Sequence, residues 1–254
     1  MPIPANDVLT GEPLAALGPG TLEALRKVGV AGIASELFKR GLRDTVMQGV
    51  APLQGNVRPF AGPAYTVRTI PMRPDIGTAD FMMRLPRNLQ RIAVTEVAAG
   101  EVLCVDARGE RRAGFMGDIL ALSLAVRGVG AVVTDGGLRD VAGIGDTGLP
   151  AYCAGASPAG SQAHLHVVAV NESIACGGLP VFPGDVLVGD ADGVVVVPRA
   201  LADDVAGTGA SQADLEAFCR ERIRKGAPLI GTYPPNDATL EAFHAQRRGG
   251  TPST

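Results

Sequence analysis

The sequence predicts an α/β domain that ends in a run of helices, and three adjoining stretches carry that expectation. Residues 101–106 (EVLCVD) have the apolar density of a buried strand, and residues 114–127 are apolar enough for a buried helix opened by Gly117 and Asp118. Residues 131–134 (AVVT) are again strand-like and close on the glycine turn DGGLRD at 135–140. Strand, turn, helix, strand and glycine turn is the alternation of an α/β layer. Beyond Pro198 the pattern becomes helical over 201–205, 211–225 and 236–247, with YPPN at 233–236 separating the last two.

The other elements follow from local chemistry. Residues 21–40 have apolar side chains at helical spacing, interrupted at Gly29 and Gly32, which predicts two short helices ending at the C-cap Gly41. Prolines between 49 and 74 separate short β-prone runs, of which 65–70 is the clearest. Further strands are expected at 165–170 and 185–197. The latter is folded back at Asp192-Gly193 between two valine-rich runs, a strong hairpin signal. The chain has no internal repeat and no long linker, so residues 1–254 read as one domain, with a core over about 21–198 and a helical extension over about 199–248.

Composition narrows the function classes. A chain of 254 residues with 46% apolar and 19% charged residues can bury a core without disulfide or metal staples. Its net charge of −3 gives no broad attraction to nucleic acid or to an anionic membrane. Cys104, Cys153, Cys176 and Cys219 are too scattered for a zinc site or a disulfide framework, and read as the reduced thiols of a cytoplasmic protein. The N-terminal segment, with Asp7 and Glu12, lacks the pattern of a secretory signal. The long apolar stretch 119–133 is broken by Ser123, Arg127, Gly128 and Gly130, well short of the ~18–20 apolar residues of a membrane span.

The chemistry concentrates in residues 115–140. A helix starting at 117–120 offers unpaired backbone N–H groups to a carboxylate or phosphate. The returning strand would bring Arg139 and Asp140 beside it, at the carboxyl edge where α/β sheets bind ligands. Arg139 suits a carboxylate or a developing enolate oxygen, and Asp140 suits Mg²⁺ or Mn²⁺. From residue types alone the same pair also reads as a surface ion pair after a glycine turn.

The stretch GDILALSLAVRGVGAVVTDGGLRD, with twenty residues between Asp118 and Arg139 and Asp140 next, resembles the D-x20-R-D motif of RraA-like proteins and the related 4-hydroxy-4-methyl-2-oxoglutarate aldolases. AGPAYTVR at 61–68 and PGDVLVGDADGVVVVP at 183–198 also resemble recurring segments of that family, so the likeness runs from about Thr21 to Pro198. The resemblance implies a β/β/α fold related to swivelling phosphohistidine domains, assembled as a homotrimer or hexamer with sites between subunits. It implies a divalent-metal-dependent lyase that cleaves a 2-oxo acid to pyruvate and decarboxylates oxaloacetate. Carried over, Gly117, Ile119 and Leu120 would offer amides to the substrate, Arg139 would stabilise the enolate, Asp140 would anchor the metal, and Asp118 would hold a metal-bound or proton-relay water. One departure stands out: the family often has an acid three residues after the last aspartate, and here that residue is Gly143. A neighbouring subunit commonly supplies a carboxylate from the C-terminal region, for which Glu216 and Glu221 are candidates.

Other readings are weaker. Lys27, Lys39 and Lys225 all sit in charged helical contexts, unlike the buried lysine of a Schiff-base aldolase. His164 and His166 could share a strand face and a metal, although two ligands without a third read more simply as structural histidines. GDADG at 189–193 reads as a turn rather than a calcium loop, and Arg84, Arg87 and Arg91 form a small basic patch, read first as a solvated face. No Walker A, GxSxG, HExxH or dinucleotide fingerprint is present, nor a glycine-rich methyl-donor loop after a first strand. A second function class stays open beside the enzyme, a non-catalytic regulator binding a ribonuclease of the RNase E type, as some RraA-like proteins do.

Overall fold

The computed structural model describes residues 14–75 and 88–249, so Arg84 and Arg87 of the basic patch, like Asp7 and Glu12, lie outside the described residues. The first helix, α1 (Thr21–Lys39), is broken at Gly29, whose φ of 78° and ψ of 169° leave the helical region. Asp190 Oδ2 accepts the Val30 N–H at 2.8 Å and so caps the second segment. Two helical segments are therefore present as expected, but the break is at Gly29 alone, and Gly32 stays helical.

The chain then alternates through β1 (Ala51–Pro52), β2 (Phe60–Pro71), α2 (Leu89–Glu96), β3 (Val102–Asp106), α3 (Asp118–Val126) and β4 (Ala131–Thr134). It continues through β5 (Gly137–Leu138), α4 (Val141–Thr147), β6 (Ala151–Cys153), β7 (Gly155–Ala156) and β8 (Leu165–Val170). Two hairpins follow, β9 (Ile174–Cys176) with β10 (Leu179–Val181) and β11 (Val186–Asp190) with β12 (Gly193–Val197), before α5 (Ala202–Arg224) and α6 (Asp237–Gly249). The main sheet has the order β1-β6-β4-β3-β2-β11-β12, parallel across β2, β3, β4 and β6 and antiparallel elsewhere. β2 is long enough to pair β11 at its start and β8 at its end, with an irregularity between Arg68 and Thr69. The sheet curls almost closed, because Val46 bridges Val195 and the Met47 N–H donates to Val194 O at 2.9 Å, just ahead of β1.

Strand alternation sorts the apolar residues into separate cores. Val102, Cys104, Ala131, Val133, Leu187, Val194 and Val196 point into the curled sheet with Phe60 and Tyr152. Leu103, Val105 and Val132 point outward under α2 and α3, while Val186, Val188, Val195 and Val197 lie under α1 and α5. Burial on both faces explains why these strands read as unbroken apolar runs. Asp190 and Asp192 form the expected hairpin turn, with Asp190 Oδ1 accepting the Asp192 N–H at 2.9 Å.

The two helices expected at 201–205 and 211–225 are one helix, α5, since nothing between them breaks the backbone ladder. Its first turns belong to the core: Ala202, Val205 and Ala206 are buried with Leu25, Ile33 and Leu37 of α1. Arg40 ties the two helices, donating to Glu36 Oε2 at 2.9 Å, Asp204 Oδ2 at 2.6 Å and Thr208 Oγ1 at 2.9 Å. Among the described residues no helix is long and apolar enough to cross a membrane, and all four cysteines are free and buried.

Glu36 is only 5% exposed. Burial pushes its carboxyl up, but hydrogen bonds from Lys39, Arg40 and Thr208 more than reverse this and hold it at about 2. A carboxyl lowered on folding stabilises the protein above its ordinary value of 4.5 and loses that contribution as the pH falls toward about 2. Glu36→Gln is accordingly expected to lower stability at neutral pH and to flatten the acid limb of a urea-unfolding series in that window; an unchanged limb would rule out Glu36 as its source.

Candidate active site

The loop after β3 and the loop after β4 are laced together by backbone hydrogen bonds. The Phe115 N–H donates to Gly137 O at 2.8 Å and the Arg139 N–H to Met116 O at 3.1 Å, while the Gly114 N–H donates to Ala159 O, beyond β7, at 2.8 Å. Gly114 also bridges Gly137 and Gly160. A side chain on Gly114 would meet Arg139 Cβ and N at 2.8 Å, so this crossing requires glycine. Asp135 anchors the same region: it accepts N–H bonds from Ala107 at 2.7 Å and Gly109 at 3.1 Å, while burial pushes its carboxyl up.

These contacts set α3 with its N-terminus facing the Arg139–Asp140 turn. Gly117, the N-cap, is extended and provides no side-chain cap, so the first-turn amides have no backbone partner within the helix. Asp140 takes the left-handed conformation, φ 54° and ψ 47°, at the start of α4, which is uncommon for a residue with a Cβ. Its Oδ2 lies 3.2 Å from Arg139 Nε, and both side chains are nearly half exposed, at 44% and 45%. At that exposure the ion pair contributes little to stability and the groups stay accessible to a ligand.

The residues expected from the sequence come together. Gly117, Asp118, Ile119, Leu120, Arg139 and Asp140 line one cavity of about 230 Å³. One detail differs from the expected amide set: the Ile119 N–H already donates to Asp118 Oδ1 at 2.8 Å, so a ligand at that amide competes with Asp118. Gly143 packs directly on Asp118, and a Cβ there would lie 2.6 Å from Asp118 Cβ. An acid at 143 therefore could not coexist with this placement of Asp118.

Other candidates lie elsewhere. Glu216 accepts from Gln212 at 3.0 Å, and Glu221 pairs with Lys225 at 3.2 Å; both are on α5, away from the cavity lining. Lys27 pairs with the exposed Glu23 and Lys39 with the buried Glu36, and no lysine lines the cavity. His164 ends a short 3-10 turn and only His166 is on β8. No group of three His, Cys, Asp or Glu side chains that could hold a metal forms among the described residues. One or two carboxylates with water are, however, a fitting donor set for Mg²⁺, which keeps much of its hydration, and Asp140 and Asp118 fit that description.

The sequence reading missed Asn88, Gln90, Gly160, Ser161 and Gln162, which complete the lining with Arg91. Gln90 donates to Phe115 O and to Ser161 Oγ, joining α2 to the 160s loop. Asn88 Oδ1 caps α2 by accepting the Arg91 N–H at 3.1 Å. An N-cap asparagine before Leu89, Ile92 and Ala93 was the available signal for that helix.

The protein is thus an α/β domain with a crevice at the carboxyl ends of its parallel strands, lined by a helix N-terminus, Arg139 and Asp140. It belongs to the RraA-like family, since the family model described as Aldolase/RraA matches residues 27–196. The chain is 31% identical over 165 residues to a Halalkalibacterium halodurans protein named "Putative 4-hydroxy-4-methyl-2-oxoglutarate aldolase", covering 63% of this chain and 72% of that one. The crystal structure of Streptomyces coelicolor RraAS2, described as an unusual member of the RNase ES inhibitor RraA protein family, matches with a TM-score of 0.72 at 30% identity, over 82% of this chain and all of that one (100%). An uncharacterized Pseudomonas syringae pv. tomato protein shares the fold, with a TM-score of 0.74 at 22% identity over 86% of this chain and 99% of that one.

The glycines make separable predictions. Gly114→Ala meets backbone that cannot give and is expected to cost about 1–3 kcal/mol. Gly117→Ala would place its Cβ 2.1 Å from Asp140 Oδ2, the end of a movable side chain, and is expected to turn Asp140 away with a smaller loss of stability. Thermal melting of both variants and a crystal structure of the second check this.

Proposed function

We propose that the protein is a divalent-metal-dependent lyase that cleaves a 2-oxo acid of the 4-hydroxy-4-methyl-2-oxoglutarate kind to pyruvate and decarboxylates oxaloacetate through the same electronic step. The observation that carries this reading is the convergence of the α3 N-terminus, Arg139, Asp118 and Asp140 on one cavity. The name of the Halalkalibacterium halodurans relative points the same way.

The substrate carboxylate would be received by the backbone amides of Gly117, Ile119 and Leu120 and by the guanidinium of Arg139. As the bond beyond C3 breaks, its electron pair moves into C2–C3 and negative charge collects on the C2 oxygen, where Arg139 stabilises the enolate. In the retro-aldol direction a water positioned by Asp118 takes the 4-hydroxyl proton, and C3 of the enolate is then protonated to give pyruvate. From oxaloacetate the same electron flow releases carbon dioxide. Mg²⁺ or Mn²⁺ held at Asp140, directly or through water, would supply Lewis acidity at the C2 oxygen.

With this reading go a kinship to the swivelling phosphohistidine domains, a cytoplasmic location, and assembly as a homotrimer or hexamer. Ile119, Leu122 and Val126 support assembly, because they expose an apolar stripe on α3 at 78%, 53% and 79%. A second reading, a non-catalytic ribonuclease-binding regulator, is favoured by the likeness to RraAS2.

The test follows pyruvate release from 4-hydroxy-4-methyl-2-oxoglutarate and oxaloacetate. EDTA is expected to abolish it and Mg²⁺ or Mn²⁺ to restore it. Arg139→Ala is expected to lower kcat/KM by about 10²–10³-fold, as for loss of one oxyanion donor. A variant within a few-fold of wild type would remove Arg139 from the mechanism, and no release from either compound, with binding to an RNase E-type ribonuclease, would favour the regulator.

A further inference from the structure

The cavity described above adjoins a second, of about 240 Å³, and Gln162 is among the residues that line both. Leu165 and His166 of β8 belong to the walls of the second alone. Other polar side chains at the shared border are engaged: Gln90 donates to Phe115 O and to Ser161 Oγ, and Asn88 Oδ1 caps α2. Among the described residues nothing hydrogen-bonds to the Gln162 carboxamide.

The place of that carboxamide follows from what a side chain on Gly160 would meet. A Cβ there would lie 2.9 Å from Gln162 Oε1 and 3.6 Å from Arg139 Nη1, so both ends stand close to one point above Gly160. Gly160 has φ −69° and ψ 155°, extended backbone that any residue adopts, and nothing in its conformation calls for glycine. What the missing side chain leaves is space. At the other end of the guanidinium, Arg139 Nε is 3.1 Å from where a Gly117 Cβ would stand and 3.2 Å from Asp140 Oδ2. Arg139 therefore reaches from one glycine to the other, with Asp140 at its Nε end and Gln162 toward its Nη1 end.

A carboxamide has a donor edge and an acceptor edge. The cation beside it favours Oε1 on the Arg139 side, which leaves the Nε2 amino group as the edge for a ligand. The oxygens of a 4-hydroxy-2-oxo acid sit on alternate carbons, C2 and C4, and so reach two groups that stand side by side. With the C2 oxygen at Arg139, the C4 oxygen falls to Gln162. Its one proton leaves to the water positioned by Asp118, and the oxygen accepts from a neutral donor while it becomes the carbonyl of the departing fragment.

We infer that Gln162 is a specificity-determining residue, whose Nε2–H donates to the C4 oxygen of a 4-hydroxy-2-oxo acid across the gap that Gly160 leaves open. The inference rests on the lyase reading above and adds the residue that distinguishes a hydroxylated substrate from the same carbon skeleton without the hydroxyl.

Steady-state kinetics of the full chain with Mg²⁺ test it with two compounds that differ only in that group. The substrate is 4-hydroxy-4-methyl-2-oxoglutarate, and the competitive inhibitor is 4-methyl-2-oxoglutarate, which lacks the hydroxyl and cannot undergo the retro-aldol step. Gln162→Met, similar in shape and without the amide, is expected to lower kcat/KM about tenfold, the worth of a hydrogen bond, and to leave the inhibitor's Ki within about twofold. A general disturbance of the site would move both. Gly160→Ala puts a methyl group into the gap and is expected to displace the carboxamide with a similar loss. The double variant is expected to lose no more than the larger single loss, since both changes remove one contact. Thermal melting verifies that the variants fold. A kcat/KM that Gln162→Met leaves nearly unchanged, a loss that appears equally in Ki, or losses that add in the double variant overturn the assignment of Gln162, while pyruvate release by the wild type leaves the lyase standing. A wild type that releases no pyruvate overturns both readings together.

Discussion

The site depends on the close approach of two loops, which at Gly114 only glycine permits. Gly114 and Gly117 carry the strand-to-helix passage past the Arg139–Asp140 turn; a Cβ at Gly114 would overlap the backbone of that turn, and one at Gly117 the end of the Asp140 side chain. Backbone hydrogen bonds from Phe115 to Gly137 and from Arg139 to Met116 then hold the passage in place. With the main chain locked, the α3 N-terminus faces a guanidinium and two carboxylates without any of those side chains having to maintain the geometry. The left-handed Asp140 lies in the same turn, directly after Arg139.

Stability and chemistry are carried by different groups. The strands that lead into the site are buried on both faces, with the interior of the curled sheet on one side and the cores beneath the helices on the other. Asp135, one residue before the glycine turn, is a buried staple for the 107–109 loop. Arg139 and Asp140, by contrast, are nearly half exposed and pair weakly with each other. A ligand that recruits them gives up little folding free energy. The same division appears at α5, whose first turns are core while its later acids, Glu216 and Glu221, are engaged in pairs within the helix.

Much of the fold was legible because its signals are local. The strands at 102–106, 131–134 and 165–170, the Asp192-Gly193 hairpin, and the helix opening at Gly117 follow from apolar runs and turn residues. The short strands at 137–138 and 155–156 were not legible, because two-residue pairings are set by their partners across the fold. Nor was α4, whose VAGIGDT sequence is rich in glycine and has little helical preference of its own. The gap expected in the middle of α5 is absent because burial against α1 outweighs the weak propensity of its Gly and Thr residues.

By itself the sequence determined that Asp118, Arg139 and Asp140 meet at the first cavity. The spacing of Asp118, Arg139 and Asp140 across one strand–helix–strand unit places them on neighbouring loops once β3 and β4 pair side by side, as they do. Only the tertiary structure decided what stands opposite them. Gln90, Ser161 and His166 lie far from the motif in sequence, and the pairing of β8 with the end of β2 and the packing of α2 on β8 bring them beside it. Such contacts depend on long-range strand register and helix placement, which hydrophobic periodicity within a segment does not encode.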